Sequence, residues 1–177
     1  MTYTQHYDSP LGGILLAADE EGLTGLWFDG QKYFARTLPK EYAESETPVL
    51  CEAKRWLDIY FSGREPDFTP PLHPVGSAFQ QVVWALLLEI PYGETTTYGT
   101  LARKLAEKQG LTHMSAQAVG GAVGHNDISL IIPCHRVVGV SGSLTGYAGG
   151  IDKKIKLLEL ERADMKSFFV PKKGTAL

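Results

Sequence analysis

The chain has 177 residues, of which 44% are apolar and 21% charged, so it contains enough apolar side chains for one large hydrophobic core or two small ones. Two cysteines are too few for a disulfide-rich secreted module, and this composition also excludes an intrinsically disordered chain. The formal net charge of −3 is uneven, because residues 1–77 carry −6 and residues 78–177 carry +3, so only the second part favours a polyanionic partner.

The sequence contains no targeting signal or membrane segment that we can identify. Residues 1–6 have neither a basic region nor an apolar stretch behind them, and the longest apolar run, residues 82–88, is too short to span a bilayer. We therefore expect a cytoplasmic protein, associated with the nucleoid if the source is bacterial, with no membrane partner.

The first 63 residues predict strands followed by one helix. Residues 4–28 combine apolar runs with turn-forming sequences at 8–13 and 19–22, which predicts at least one β-hairpin. Thr47 and Pro48 are typical of a helix start, and a helix over 48–62 would pack apolar residues against the sheet. Its Cys51 lies near the apolar stripe, and we interpret it as an inert packing residue. The predicted stripe is Leu50, Ala53, Trp56, Leu57 and Tyr60.

A proline-rich linker divides the chain. Four of the ten prolines fall within residues 64–77, a stretch without helical or strand periodicity. We therefore predict an N-terminal domain over residues 1–76, including the linker, and a C-terminal domain over residues 77–177.

Short helices follow the linker. Ser77 and Gln80 form a capping-box pair before a helix whose apolar face is Phe79, Val82, Val83 and Leu86. Thr97 can cap a second helix that extends to about residue 109, with Leu101 and Leu105 facing inward and Gly110 ending it. A last helix over 152–162 is predicted to bury Ile151, Ile155 and Leu158.

A third helix, between these, is unusually poor in large side chains. It begins at Ser115 and includes Ala118 and Gly121, so its backbone can approach another molecule closely. Its position after a helix and a short turn is typical of a helix-turn-helix DNA reader, but two helices packed at a Gly/Ala crossing explain the pattern equally well.

Cys134 is the chemically notable residue. It follows an apolar, strand-like run over residues 128–132 that Pro133 interrupts, and His135 and Arg136 come directly after it. A reactive thiolate needs a nearby base or positive charge, but neighbours in an extended segment point to opposite faces, so His135 would act through a water or a turn. Both an inert buried cysteine and a reactive thiol remain open at this point. No second Cys or His lies at metal-ligand spacing, so we expect no metal.

Several motifs together resemble a known family. The sequence 133–137 (PCHRV), with Asn126 before it and 146–150 (GYAGG) after it, resembles the active-site signature of the O6-alkylguanine-DNA alkyltransferases, also called methylated-DNA-protein-cysteine methyltransferases. The likeness extends to 90–102 (IPYGETTTYGTLA) and 118–122 (AVGGA). It covers about residues 78–162 in order and spacing, and is one of general layout for the first 77.

The resemblance implies an α+β fold and a single-use reaction. The N-terminal α/β domain would have an antiparallel, ribonuclease H-like sheet, and the C-terminal domain would be a mostly helical winged-helix or helix-turn-helix domain. The Cys134 thiolate would attack the alkyl carbon on O6 of a damaged guanine, leaving a permanent thioether on the protein without any cofactor. Whether O4-alkylthymine is also accepted stays open.

The resemblance also assigns roles near the cysteine. His135 would couple to Cys134 through a water and be oriented by Glu161 on the last helix, with Glu159 as the competitor if the helix register differs. Tyr98 would protonate the departing guanine, and Asn126 would fix the cysteine segment through side-chain hydrogen bonds. We interpret Arg136 as a structural ion-pair partner.

Pocket and DNA contacts are implied in the same way. Tyr147 and Val137 would wall the pocket, with the Val137 carbonyl accepting from the guanine amino group, and Ala148 replaces the serine of some relatives. Gln117 stands where the family has the arginine that fills the space of the flipped base. The predicted DNA-contacting residues of the small-residue helix are Ser115, Gln117, Ala118 and Gly121.

The implied partner is double-stranded DNA, bound by a monomer through the minor groove with little sequence preference and with the base flipped out. Two other functions remain: a winged-helix protein that senses lesions or regulates genes without transfer, and a cysteine hydrolase that uses Cys134, His135 and Glu161. A hydrolase would turn over, whereas the transferase stops after one reaction per chain.

Overall fold

The computed structural model describes residues 1–171, which form two compact units. One contains Met1–Val75 and Asp127–Ile131, and the other contains Gly76–Asn126 and the described residues from Ile132 onward. Residues 172–177, the end of the predicted C-terminal domain, lie outside the described residues. None of the described helices is long and apolar enough to cross a bilayer.

A four-stranded sheet forms the base of the first unit, in the order β3-β2-β1-β4. The predicted hairpin is confirmed, since β1 and β2 pair antiparallel across the 9–12 turn and β3 continues antiparallel to β2. The short β4 pairs parallel with β1, which the sequence did not indicate. The strands are β1 (Thr2–Ser9), β2 (Gly12–Ala18), β3 (Leu23–Phe28) and β4 (Tyr42–Glu44).

The helix of this unit, α1 (Pro48–Phe61), agrees with its prediction. The Thr47 side chain accepts from the Leu50 amide at 3.3 Å, and all five residues of the predicted stripe are buried. Cys51 is exposed, so its interpretation as a packing residue is wrong. It follows Leu50 by one position, about 100° around the helix, and this turns it away from the sheet.

Residues 127–131 belong to the first unit although they lie far along the chain. Leu26 donates to the Asp127 carbonyl at 2.7 Å, and the Asp127 carboxylate accepts from Trp27 Nε1 at 3.1 Å and pairs with Arg36. The predicted strand over 128–132 is wrong. Only one parallel bridge, Leu26 to Ile128, forms before the chain turns through Leu130 at φ 70°.

Helices dominate the second unit, and the predicted caps at Ser77 and Thr97 and the helix start predicted at Ser115 are confirmed. Ser77 and Gln80 form the reciprocal capping box, while the Thr97 and Ser115 side chains accept from the amides of Thr100 and Ala118. The elements are α2 (Ala78–Leu87), β5 (Thr96–Thr97), α3 (Tyr98–Lys108), α4 (Ala116–Gly124), β6 (Val137–Val138) and α5 (Ile151–Leu160), with β5 parallel to β6.

Two predicted helix faces are partly wrong. In α2, Phe79 and Val82 are only half-buried, and Trp84 is buried instead, with its Nε1 donating to the Ala122 carbonyl at 2.9 Å. In α5, Ile151 and Ile155 are half-buried, whereas Lys154 is completely buried along with Leu157 and Leu158. The error in α5 comes from following apolar residues only, because a lysine can be buried where its ammonium finds hydrogen-bond acceptors. The inward Leu101 and Leu105 of α3 are confirmed.

The predicted α+β class is confirmed, with a mainly antiparallel sheet in the N-terminal part and mostly helices in the C-terminal part. In the second unit, α3 and α4 pack against each other, joined by residues 109–115. A 3-10 turn, Cys134–Arg136, stands where the sequence predicted the end of a strand.

Candidate active site

Cys134 opens this 3-10 turn and is only 6% exposed. Its amide donates to the Ile132 carbonyl at 2.8 Å, and the buried Asn126 side chain donates to the same carbonyl at 2.8 Å. Burial raises the pKa of the Cys134 thiol, while a hydrogen bond from Asn126 and the charge of Lys154 oppose the rise. Asn126 therefore contacts both the cysteine and the segment that carries it.

His135 is fully buried and faces Glu161. Its Nε2 lies 2.5 Å from Glu161 Oε2, and its ring meets the Tyr147 ring edge-on, with centroids 6.4 Å apart. Burial lowers the pKa of His135 despite the carboxylate, so the imidazole is neutral at pH 7 and can accept a proton. Glu161 caps the C-terminus of α5 and is 2% exposed, whereas Glu159 is exposed, so Glu161 is the residue next to His135.

The Glu161 carboxylate also pairs with Arg136. Arg136 Nε donates to Oε1 at 2.8 Å and Nη2 to Oε2 at 3.2 Å, and the Gly93 amide donates to Oε1 at 3.1 Å. Burial alone would raise the pKa of Glu161, but His135 and Arg136 lower it well below its usual range. Arg136 Nη1 donates to the Ile90 carbonyl at 2.7 Å. The structural ion pair predicted for Arg136 is confirmed.

Tyr98 is the first residue of α3 and is almost fully buried. Its hydroxyl donates to the Thr145 carbonyl at 3.5 Å, and a Cβ atom on Gly146 would lie 3.0 Å from that hydroxyl oxygen. Burial and the neighbouring Cys134 raise the pKa of Tyr98, which keeps the phenol protonated. The hydroxyl is therefore a donor at neutral pH.

Lys154 is the functional candidate that the sequence analysis missed. Its ammonium donates to the carbonyls of Val137 at 2.6 Å and Thr145 at 2.7 Å. Burial lowers the pKa of Lys154 to about 8, and the charge of Cys134 opposes this shift. A lysine at the i+3 position from Ile151 on an otherwise apolar stripe was the available signal, because such a lysine needs buried acceptors.

Of the remaining predicted pocket residues, Tyr147 contacts His135 and Val137 contacts Lys154. Tyr147 is 8% exposed and Ala148 half-buried, so both lie at the boundary of the second unit's interior. Val137 is fully buried, and its carbonyl is already an acceptor for Lys154. A carbonyl has two lone pairs, so a second donor can still approach it.

The predicted DNA-contacting residues lie together on one face of α4. Val119, Ala122 and Val123 face the core, whereas the opposite face is exposed. A Cβ atom on Gly121 would meet nothing within 4 Å. The helix ends at Gly124, two residues before Asn126, whose side chain donates to the Ile132 carbonyl in the cysteine segment. The exposed residues are Ser115, Gln117, Ala118 and Gly121.

No group of three or more His, Cys, Asp or Glu side chains within residues 1–171 could hold a metal ion.

Family models match both parts of the chain. Residues 2–74 match the ribonuclease-like domain of 6-O-methylguanine DNA methyltransferase, and residues 78–163 match the DNA-binding domain of the same protein. The chain belongs to the 6-O-methylguanine DNA methyltransferase family. The second match contains every residue of the arrangement around Cys134.

Individual members of the methyltransferase family are similar over most of their length. The methylated-DNA-protein-cysteine methyltransferase of Methanosarcina acetivorans is 45% identical over 90% of this chain and 97% of its own, and that of Haemophilus influenzae is 42% identical over 90% and 86%. The crystal structure of Mycobacterium tuberculosis OGT in complex with DNA is 42% identical, covers 91% of this chain and 94% of its own, and has a TM-score of 0.77.

Proposed function

We propose that this methyltransferase family member repairs DNA by transferring an alkyl group from O6 of a guanine to its own Cys134, once per chain. The observation that carries the proposal is the buried Cys134 beside the His135–Glu161 pair, within a segment that matches the family's DNA-binding domain. Relatives that share over 40% of its residues are named methylated-DNA-protein-cysteine methyltransferases.

The resting site supports a proton transfer from sulfur to imidazole. His135 is neutral because its pKa is lowered, and the ionised Glu161 beside Nε2 stabilises the imidazolium that forms when His135 accepts the proton. Burial holds the thiol protonated until then. In this proposal the thiolate forms only during the reaction, and the resting protein carries a less reactive thiol.

The transfer forms one bond and breaks one. The Cys134 thiolate forms the S–C bond, the C–O6 bond breaks, and its electron pair leaves on the guanine, which then takes up a proton. Tyr98 would donate that proton, which its protonated phenol permits at neutral pH. The thioether product has no acyl group to hydrolyse, so the chain is used up after one reaction.

Duplex DNA would meet the exposed face of α4. Small residues there permit close approach of the backbone to a groove, which fits minor-groove binding through phosphates by a single chain, with the damaged base flipped out. Gln117 supplies a neutral side chain where the family motif has arginine, so its contribution to base flipping would be a hydrogen bond without a charge. A DNA partner also fits a cytoplasmic or nucleoid location.

The test is the intact mass of the protein after mixing with a duplex that contains one O6-methylguanine. We expect a gain of one methylene per chain, on the peptide that contains Cys134, and no further reaction with excess DNA. Cys134→Ser should abolish the gain. Cys51→Ser is the matched control and should keep the gain, because Cys51 is the other cysteine of the chain and is exposed. Binding without a mass gain would favour a lesion sensor, and sustained turnover would favour a hydrolase.

A further inference from the structure

The chain beyond α5 folds back as a strap, residues 163–169. It begins after Arg162, which adopts a left-handed conformation at φ 59°. Ala163 is buried, and the half-buried Met165 and Phe168 pack on a small apolar cluster. That cluster contains Val138, Leu144, Leu158 and Ala163.

The strap pairs with the active-site loop, residues 139–147, through its backbone. Leu144 donates to the Phe169 carbonyl at 2.8 Å, and Phe169 donates to the Gly142 carbonyl at 3.1 Å, forming a parallel bridge at Ser143. Gly142 has φ +89°, and a Cβ atom there would lie 2.3 Å from the Ser167 carbonyl oxygen. The strap can lie this close because residue 142 has no side chain.

The paired part of the loop adjoins the predicted pocket residues. Thr145, directly after Leu144, places its carbonyl against the Tyr98 hydroxyl and the Lys154 ammonium. Two residues later, Tyr147 packs edge-on against the His135 ring. A shift of the loop at Leu144 would therefore move both the acceptor of Tyr98 and the aromatic neighbour of His135.

The loop's own hydrogen bonds fix its shape more than its position. Gly139 donates to the Ser143 carbonyl at 2.7 Å, and Gly142 donates to the Gly139 carbonyl at 3.2 Å, around a left-handed Ser141. Contacts to other elements hold this compact turn relative to Cys134, and these include the strap, the Lys154 ammonium, the Tyr98 hydroxyl and the His135 ring.

We propose that the strap is a positioning element for alkyl transfer: by pairing with residues 142–144 it holds Thr145 and Tyr147 at the pocket. The inference rests on the proposed function. The proposed role of the strap concerns the transfer step and not DNA binding. The surface proposed to bind DNA is the exposed face of α4, which lies outside both the strap and the loop. Catalytic geometry is sensitive to such shifts, since a displacement of about 1 Å can cost about 100-fold in rate.

Gly142→Ala tests the pairing directly, because its methyl group would collide with the strap backbone. Gly30→Ala is the matched control: Gly30 also has a positive φ, +76°, but nothing lies within 4 Å of its Cβ position, so it carries the left-handed strain without a collision. Phe168→Ala is a second variant that removes packing of the strap and leaves residue 142 unchanged. It tests the positioning role of the strap if Gly142→Ala does not fold.

The measurements are the transfer rate at saturating methylated duplex, the dissociation constant for undamaged duplex, and hydrogen exchange at the Leu144 amide. We expect Gly142→Ala and Phe168→Ala to exchange faster at Leu144 and to transfer about tenfold more slowly or worse, with duplex affinity within about twofold of the unmodified protein. Gly30→Ala should match the unmodified protein in all three.

Faster exchange at Leu144 with an unchanged saturating rate would overturn the positioning role, and so would a rate loss fully explained by weaker DNA binding. Failure of the unmodified protein to form any adduct would instead overturn the proposed function itself. The two failures are distinguishable because the unmodified protein is measured beside the variants.

Discussion

Replacing Glu161 with glutamine tests the charge arrangement around the cysteine most directly. The carboxylate accepts from Arg136 twice, from the Gly93 amide once, and faces His135 Nε2 at 2.5 Å. Glutamine keeps the shape but has no charge, and its amide can offer only one acceptor oxygen to these groups. Glu159→Gln is the matched control, because Glu159 lies on the same helix and is exposed.

The expected magnitude follows from the buried ion pair. Removing one partner of such a pair leaves an uncompensated charge, here that of Arg136, and costs about 3–5 kcal/mol of unfolding free energy. An exposed substitution such as Glu159→Gln changes stability by less than about 0.5 kcal/mol. Loss of the group that orients and stabilises the protonated imidazole should also slow alkyl transfer by about 100-fold or more.

Urea unfolding at about pH 7 and at about pH 3 separates the contribution of the Glu161 charge to stability from that of the side-chain shape. Because the pKa of Glu161 is lowered in the folded protein, its ionisation contributes stability that is complete above the usual carboxyl pKa of 4.5 and is lost as the pH falls further. The difference in unfolding free energy between the unmodified protein and the Glu161→Gln variant should therefore narrow at the lower pH. Equal stability of Glu161→Gln and Glu159→Gln at neutral pH would refute the reasoning.

Three further substitutions test neighbouring groups. Lys154→Met should slow transfer by about tenfold or more, because it removes a positive charge near the thiolate. Thermal unfolding should show a loss of stability below about 3 kcal/mol, because the variant loses two hydrogen bonds but no longer has to bury a charged ammonium. Tyr98→Phe should lower the saturating transfer rate about tenfold without changing duplex affinity, and an unchanged rate would exclude the hydroxyl from the reaction. Gln117→Arg should tighten duplex binding and steepen its salt dependence by about one phosphate contact; fluorescence anisotropy at several salt concentrations measures both, and an unchanged slope would exclude residue 117 from the interface.

Local signals in the sequence predicted most helix boundaries. The N-caps at Thr47, Ser77, Thr97 and Ser115 are side-chain properties of a few consecutive residues, and each one accepts the expected amide in the structure. Such caps act within a single turn, so they need no knowledge of the rest of the fold.

Long-range pairing was not predictable in this way. The run over 128–132 is apolar enough for a strand, but its only described β-bridge is the one between Ile128 and Leu26, about a hundred residues earlier. The short β4 likewise depends on a parallel neighbour, β1, that only the assembled sheet supplies. Apolar composition predicts burial in both cases and does not specify the partner.

In the candidate site, too, residues within local motifs were predicted, whereas a residue that depends on distant segments was not. Cys134, His135 and Asn126 were predicted because they lie within a short motif, and Glu161 because the resemblance located it, with Glu159 left as an alternative. Geometry then placed Glu161 in the core and Glu159 in solvent. Lys154 was missed, since its burial depends on two carbonyl acceptors from separate segments that converge only in the folded chain.

A reaction that uses up its own nucleophile benefits from burying it. Any soluble electrophile that reached the Cys134 sulfur would inactivate the chain permanently, so a freely exposed, low-pKa thiol would be a liability. Here the thiol is 6% exposed and burial raises its pKa, while the neutral His135 and the ionised Glu161 contact each other in the core. Under the proposed mechanism the protein loses constant reactivity and gains selectivity, because a buried, protonated thiol reacts slowly with electrophiles from solution.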